Sequence, residues 1–501
     1  MPGHERIARL GMALAATTLV AAACAQAAPT TAQPQAAVPK ASAPAAAPAT
    51  SPSIKPFIPV GKFSAKPAHA PAGTLVTASA TGLAPATSYD LVWLDVEASW
   101  KLTDDKVLVK GRQFTEIRKK VAAATTDVSG AFSVPFTVPS GFGFQHDLLV
   151  VKGDEVLNKL GFDVDMELTL SPTSGPAGTP ITIAVKGIGY RTLQNSWLVS
   201  YDNAFTGWLS AVTTKGSAEA VIPATGRPGT HIVTVIHGAY GMPYLNPQDS
   251  PQPDRPTWRI PFTVTEGEAV LPPSVVTQTV ADTTAKPPDR GTFWSEPNGG
   301  VVGSRATLRA SGLRPSTEIE LVWYNAGGVD AVAGARAETA VPLGKVRTGA
   351  SGALTWEMAV PDEAGGVHKI VARAGDQVLA TTTFAIQPSV QPLPVTRGPS
   401  GTQFTIQLNG IYTTDTGKIY HLVYDNAYAG YSCSFNTGGN VKIPFRVSGD
   451  VGWHFIDLYP GIYDGEDKLP DNYKMPQLTA VADHPGERMP IFRLAFLITA
   501  P

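Results

Sequence analysis

Gly178-Thr179-Pro180-Ile181-Thr182-Ile183-Ala184-Val185-Lys186-Gly187 decides the fold class of this chain. Its period of two puts Ile181, Ile183 and Val185 on one face of a half-buried strand, and a glycine closes each end. The same opening, glycine followed by threonine or serine, occurs at Gly73-Thr74, Gly303-Ser304 and Gly401-Thr402. Each opening is followed by a strand carrying Trp93, Trp197, Trp323 or Tyr420 among aliphatic neighbours. Strands at regular spacing with Gly/Pro punctuation predict antiparallel β-sandwiches, and four openings predict four of them. Composition points the same way. Forty-four prolines, 48 glycines and only 16% charged residues favour short strands over long helices, and 501 residues suit several cores.

Two interleaved repeats set the module boundaries. Residues 171–240 return at 394–463 without a gap, at a constant offset of 223. Tyr201-Asp202-Asn203-Ala204-Phe205-Thr206-Gly207-Trp208 thereby matches Tyr424-Asp425-Asn426-Ala427-Tyr428-Ala429-Gly430-Tyr431. The other repeat carries Leu91-Val92-Trp93 to Leu321-Val322-Trp323 at an offset of 230, which falls to 222 afterwards. The loop after Trp93 is therefore eight residues longer than its counterpart. The chain reads A–B–A′–B′, with A at 57–165, B at 166–267, A′ at 289–387 and B′ at 388–501. Residues 268–288, rich in Pro, Thr and Val, read as a linker between the halves.

Ser171-Pro172-Thr173-Ser174-Gly175-Pro176-Ala177-Gly178-Thr179 with its alternating strand resembles the start of bacterial immunoglobulin-like domains of the TIG type. Thr126-Asp127-Val128-Ser129-Gly130-Ala131-Phe132 resembles a hairpin common in such modules. The resemblance covers most of residues 61–500 and implies Greek-key sandwiches in a row. Such modules serve as spacers, adhesins, glycan binders and accessory parts of surface enzymes, so it implies no single activity.

The N-terminus reads as an export signal over residues 1–27. Arg6 and Arg9 precede the apolar stretch Leu10 to Ala23, which is too short to span a bilayer stably. Ala21-Ala22-Ala23-Cys24 resembles a bacterial lipobox, with Cys24 as the lipidated residue and Ala21 where the pattern prefers leucine. Ordinary cleavage after Ala25-Gln26-Ala27 is the alternative, and it would free the protein. Residues 28–56, almost wholly Ala, Pro, Thr, Ser, Gln and Val, read as an extended tether.

The B-module hairpins are the candidate ligand site: Tyr201, Asp202, Asn203 and Trp208, with Tyr424, Asp425, Asn426 and Tyr431. Rings that stack on a sugar or peptide beside an Asp-Asn pair that orients hydroxyls would give a polar-aromatic platform. The structural reading weighs more, because Asp and Asn make turns, Gly207 or Gly430 can supply a positive φ, and aromatics pack. His146, His231, His368 and His454 share one equivalent position, where a corner histidine with a satisfied ring is expected rather than a metal ligand. Asp163, Asp165 and Glu167, and the B′-specific Asp464, Glu466, Asp467 and Asp471, read as solvated loop charge rather than calcium ligands. Residues 101–120, with seven Lys/Arg against three Asp/Glu, read as a solvated hairpin extension. Cys433 matches Ser210 and reads as a small buried residue.

No nucleophile elbow, zinc-protease helix motif, phosphate-binding loop or Cys-x-x-Cys is present, so the expectation is a non-enzyme without cofactor or metal. A net charge of −2 gives no general attraction for nucleic acid. The expected role is an exported, lipid-anchored or secreted, bacterial surface protein that binds or presents. Its partner is an envelope or extracellular ligand, and the membrane is reached through the lipid on Cys24. The alternative is an accessory carbohydrate-binding protein using the hairpins, and an all-β envelope enzyme comes third. Whatever is bound is expected to be bound twice, through matched hairpins on either side of a flexible linker.

Overall fold

The computed structural model describes residues 57–501 except 105–107, 192–193, 240–241, 251–254, 274–292, 326–328, 331–333, 336–337, 435, 463–473 and 487–488. The signal, the tether, Cys24, most of the linker and the acidic group Asp464–Asp471 lie outside the described residues. The described chain is all-β, and residues 58–501 form one compact unit.

Among the described residues, eight of the nine sheets build sandwiches, each joining a three-stranded sheet to a larger one, and the ninth is the two-stranded pair Val329–Asp330 with Gly334–Ala335. In B the smaller sheet runs Ala218–Pro223, Pro180–Lys186, Glu167–Ser171. The larger one runs Ser174–Gly175, Thr257–Val264, Gly229–Ala239, Trp197–Tyr201, Ala204–Leu209, with Met242–Pro243 added beside Gly229–Ala239. In B′ the larger sheet repeats that order as Arg397–Pro399, Phe492–Thr499, Gly452–Gly461, Ile419–Tyr424, Ala427–Cys433. A and A′ follow the same plan, with Ser88–Leu102 paired to Val109–Thr125 in A and Glu318–Tyr324 to Ala340–Arg347 in A′. The long pair in A is the extra length after Trp93.

The deciding stretch behaves as its alternation requires. Ile181, Ile183 and Val185 are at most 1% exposed, while Thr182 and Ala184 point away. Burial of each such side chain stabilises by roughly 1.5–3 kcal/mol. The glycine–threonine opening has a physical cause as well. Gly178 lies at φ +81°, and the Thr179 hydroxyl donates back to the Pro176 carbonyl at 2.7 Å. Ser304 and Thr402 make the same 2.7 Å bond to Val301 and Pro399. The turn lets the chain leave one sheet and enter the other, so it recurs wherever a sandwich begins.

The copied unit includes its own junction. Gly143 N–H donates to the Ile188 carbonyl between A and B, and Gly365 N–H to the Ile411 carbonyl between A′ and B′, both at 3.1 Å. A Cβ on either glycine would strike the facing backbone, at Gly187 or Gly410.

Candidate functional site: the junction of the two B modules

Both hairpins turn on an Asp-Asn pair with positive φ, 47° and 67° at Asp202 and Asn203, 47° and 63° at Asp425 and Asn426. These angles make the two-residue turn whose twist matches the flanking strands. Gly430 follows with φ +155°; Gly207 does not, and its lack of a side chain serves a close approach instead. Asp202 Oδ1 accepts from Ile232 N–H at 2.9 Å, and its Oδ2 accepts from His231 Nδ1 at 2.5 Å. Asp425 repeats both bonds with Phe455 N–H at 2.9 Å and His454 Nδ1 at 2.6 Å. The aspartates therefore tie each turn to the neighbouring strand.

All four corner histidines have an acceptor oxygen beside each ring nitrogen. His146 and His368 have a backbone carbonyl within 3.1 Å of each ring nitrogen, while His231 and His454 have one carboxylate and one carbonyl, and a neutral ring donates to one of its two neighbours. Each ring also stacks on a strand aromatic: Trp93, Tyr201, Trp323 or Tyr424, with centroids 4.5–5.6 Å apart. Tyr201 and Tyr424 then donate their hydroxyls to the Thr225 and Ser448 carbonyls at 2.9 and 2.7 Å. This histidine–aromatic stack explains why the residues recur together without a ligand.

The expected pair of separated, matched hairpins is corrected by the structure. The hairpins face one another. Thr206 Oγ1 donates to the Asn426 carbonyl at 2.7 Å, Asn426 Nδ2 donates to the Pro223 carbonyl at 2.8 Å, and Phe205 meets Tyr428 edge to face. Trp208 is fully buried, Tyr201 is 3% exposed and Asn426 1%, so none of these three offers a face to a ligand here. Asp202 and Asn203 stay open, Tyr424 and Asp425 are half-buried, and Tyr431 alone presents a large ring, 65% exposed. The physical reason is the B′ insertion. Trp208 N–H donates to Pro476, and Leu478 N–H donates to the Trp208 carbonyl, so residues 476–478 pair along the free edge of the B sheet. Gly207 is where Pro476 and Leu478 come too close for a side chain.

The basic extension of A also departs from its solvated reading. Val109 is 3% exposed and packs with Trp208, Leu198, Ile236, Ile462 and Met475, while Trp100 packs at their margin. The Arg112 guanidinium lies over both Trp100 and Trp208, 5.8 and 5.5 Å from the ring centroids. Asp483, 1% exposed, accepts from Val212 N–H, Thr213 N–H and hydroxyl, and Trp100 Nε1, all within 3.0 Å. Three modules thus converge on one strand edge.

Between the B and B′ sheets beside this contact lies a groove of about 630 Å³. Its walls are mostly apolar: Pro180 and Val221 from B, Phe455, Leu478 and Ile491 from B′. Val270 to Pro273, the first described part of the linker, closes one side. Asp457 and Arg493 are cross-strand partners that also line it. Asp457 is 2% exposed; burial raises its carboxyl above the ordinary value, against the pull of Arg493 and a Tyr459 hydroxyl bond of 3.0 Å. Arg493 Nε stands 3.8 Å from Asp457 Oδ1, and its Nη2 donates to the Val221 carbonyl. Thr234 occupies the equivalent of Asp457 in B, so the repeat gave no signal for it. Elsewhere, burial raises the Cys433 thiol against the opposing charge of Lys418, the reverse of an activated nucleophile.

No protein-family model matches the chain, and no curated protein does. Among solved structures, a Salmonella alpha-2-macroglobulin mutant aligns at 11% identity and TM-score 0.18, over 86% of this chain and 30% of that one. Escherichia coli alpha-2-macroglobulin in its native conformation gives 11% and 0.17, over 86% and 31%. The chain thus spans under a third of these proteins' length. Invasin, a bacterial integrin-binding protein, gives 11% identity and TM-score 0.16 over 87% of this chain and 79% of its own. At these scores the likenesses carry no functional weight. The fold itself defines the class: an all-β protein of tandem immunoglobulin-like sandwiches.

Proposed function

We propose that the chain is an exported bacterial cell-surface protein of TIG-type modules, held by a lipid on Cys24, whose role is binding or structural presentation rather than catalysis. The observation that supports this best is the locking of A, B and B′ around Trp208. Extension hairpin, edge strand and insertion fix the modules as one body with the groove held open between two sheets, as a presenting scaffold needs. A rigid body loses little entropy when it meets a partner.

The test is fractionation of bacteria carrying the full-length chain, with labelling by a lipid precursor and protease treatment of intact cells. The expected result is a labelled, membrane-bound protein that external protease removes, and a Cys24→Ser variant that is unlabelled and shed. Retention in the cytoplasm overturns the reading. Turnover on polysaccharide or peptide panels would overturn its non-enzyme part.

A further inference from the structure

The groove between B and B′ holds a group that its surroundings leave incomplete. Asp457 Oδ1 is buried and accepts no hydrogen bond from any described residue. Arg493 stands beside it at 3.8 Å, too far for a hydrogen bond, and spends Nη2 on the Val221 carbonyl. A buried carboxylate oxygen without a donor is costly, and a ligand that carries a donor is one way to satisfy it. The remaining charge on the walls is Glu219, exposed at the rim on the B side. Two carboxylates against one guanidinium favour a cation and disfavour an anion. Phe455 adds an aromatic ring to the lining. At about 630 Å³ the space suits a small molecule, for which pockets run roughly 300–1,000 Å³.

We propose that this groove binds a small molecule with an apolar body and a protonated amine, the amine donating to Asp457 and the body covering Val221, Phe455, Leu478 and Ile491. The proposal rests on reading the chain as a binding protein. It gives that reading a ligand chemistry and moves the site away from the hairpins, to a place where the two B modules differ. Because the groove needs walls from both modules, one site forms per chain rather than two.

The experiment is calorimetric titration of the purified mature protein with 4-phenylbutylamine, 4-phenylbutan-1-ol and 4-phenylbutanoate, which share a body and differ in the head group. The amine is expected to bind at least about tenfold tighter than the alcohol, with the carboxylate weakest. Asp457→Asn should lower amine affinity to that of the alcohol and leave the alcohol unchanged; circular dichroism checks that the variant is folded. Leu478→Trp, which fills the groove, should abolish binding of all three. Equal affinity for amine and alcohol, tighter binding of the carboxylate, an unaffected Asp457→Asn variant, or no binding at millimolar probe overturns the proposal. Any of these failures alongside a protease-accessible, lipid-labelled protein defeats only the groove assignment. A cytoplasmic protein that still binds the amine defeats only the surface role.

Discussion

Asn426 donates its side-chain amide to the Pro223 carbonyl at 2.8 Å, across a sequence separation of 203 residues. One bond thus joins the turn of the second B module to the sheet of the first. Its equivalent, Asn203, sits exposed on the other turn. Asn426→Ala leaves the Pro223 carbonyl buried without that donor and is expected to cost about 1–3 kcal/mol, while Asn203→Ala loses only the preference of asparagine for a positive φ. Chemical denaturation of both variants gives the comparison.

Trp208 and Tyr431 make a sharper pair. The first is fully buried where three modules meet, and the second is 65% exposed. Trp208→Ala should destabilise by about 3–5 kcal/mol, and Tyr431→Ala should stay within about 0.5 kcal/mol. Melting temperatures decide it, and equal losses would mean that the B′ insertion leaves the B edge in solution.

Asp483 gathers four donors from two other modules in one buried carboxylate. Asp483→Ala should cost about 3 kcal/mol or more and expose the 100–112 hairpin to limited proteolysis. Arg227 and Asp450 also bridge B and B′, at 2.8 Å, but both are well exposed, so Arg227→Ala should change stability by under about 1 kcal/mol.

Two histidines of B′ should respond to pH in opposite directions. Burial holds His421 down to about 3, so its contribution is present above the ordinary 6.5 and is lost as pH falls from there towards 3. His454 also suffers from burial, but its bond to Asp425, the Asp425 charge and the Asp450 carbonyl together raise it above 6.5. Its contribution is therefore full below 6.5 and fades as pH rises through the raised value. His421→Phe should flatten the acid side of the stability profile, and His454→Gln the neutral-to-alkaline side. Denaturation midpoints between pH 4 and 9 test both, and a parallel shift of the whole profile in either variant would refute the assignment.

Fold class was legible because its signals are local. A period of two between glycines, a threonine that bonds three residues back, and an Asp-Asn turn act within a few residues of chain, so each copy displays them. The corner histidines were legible for the same reason, since the repeat marks what every sandwich needs. The contact between the B modules was not legible. It is made by Asn426, Leu478, Asp483 and Arg493, by the extension holding Trp100 and Val109, and by an insertion 267 residues from the strand edge it covers. Few of these have counterparts in the other copy. Two similar modules that meet through different surfaces must differ where they touch, and comparison of the copies discards those residues first. The sequence by itself determined the all-β sandwich class and the turns that start its strands. Only the tertiary structure decided that the Tyr-Asp-Asn hairpins spend Trp208 and Asn426 on each other's modules, because burial there depends on partners far along the chain.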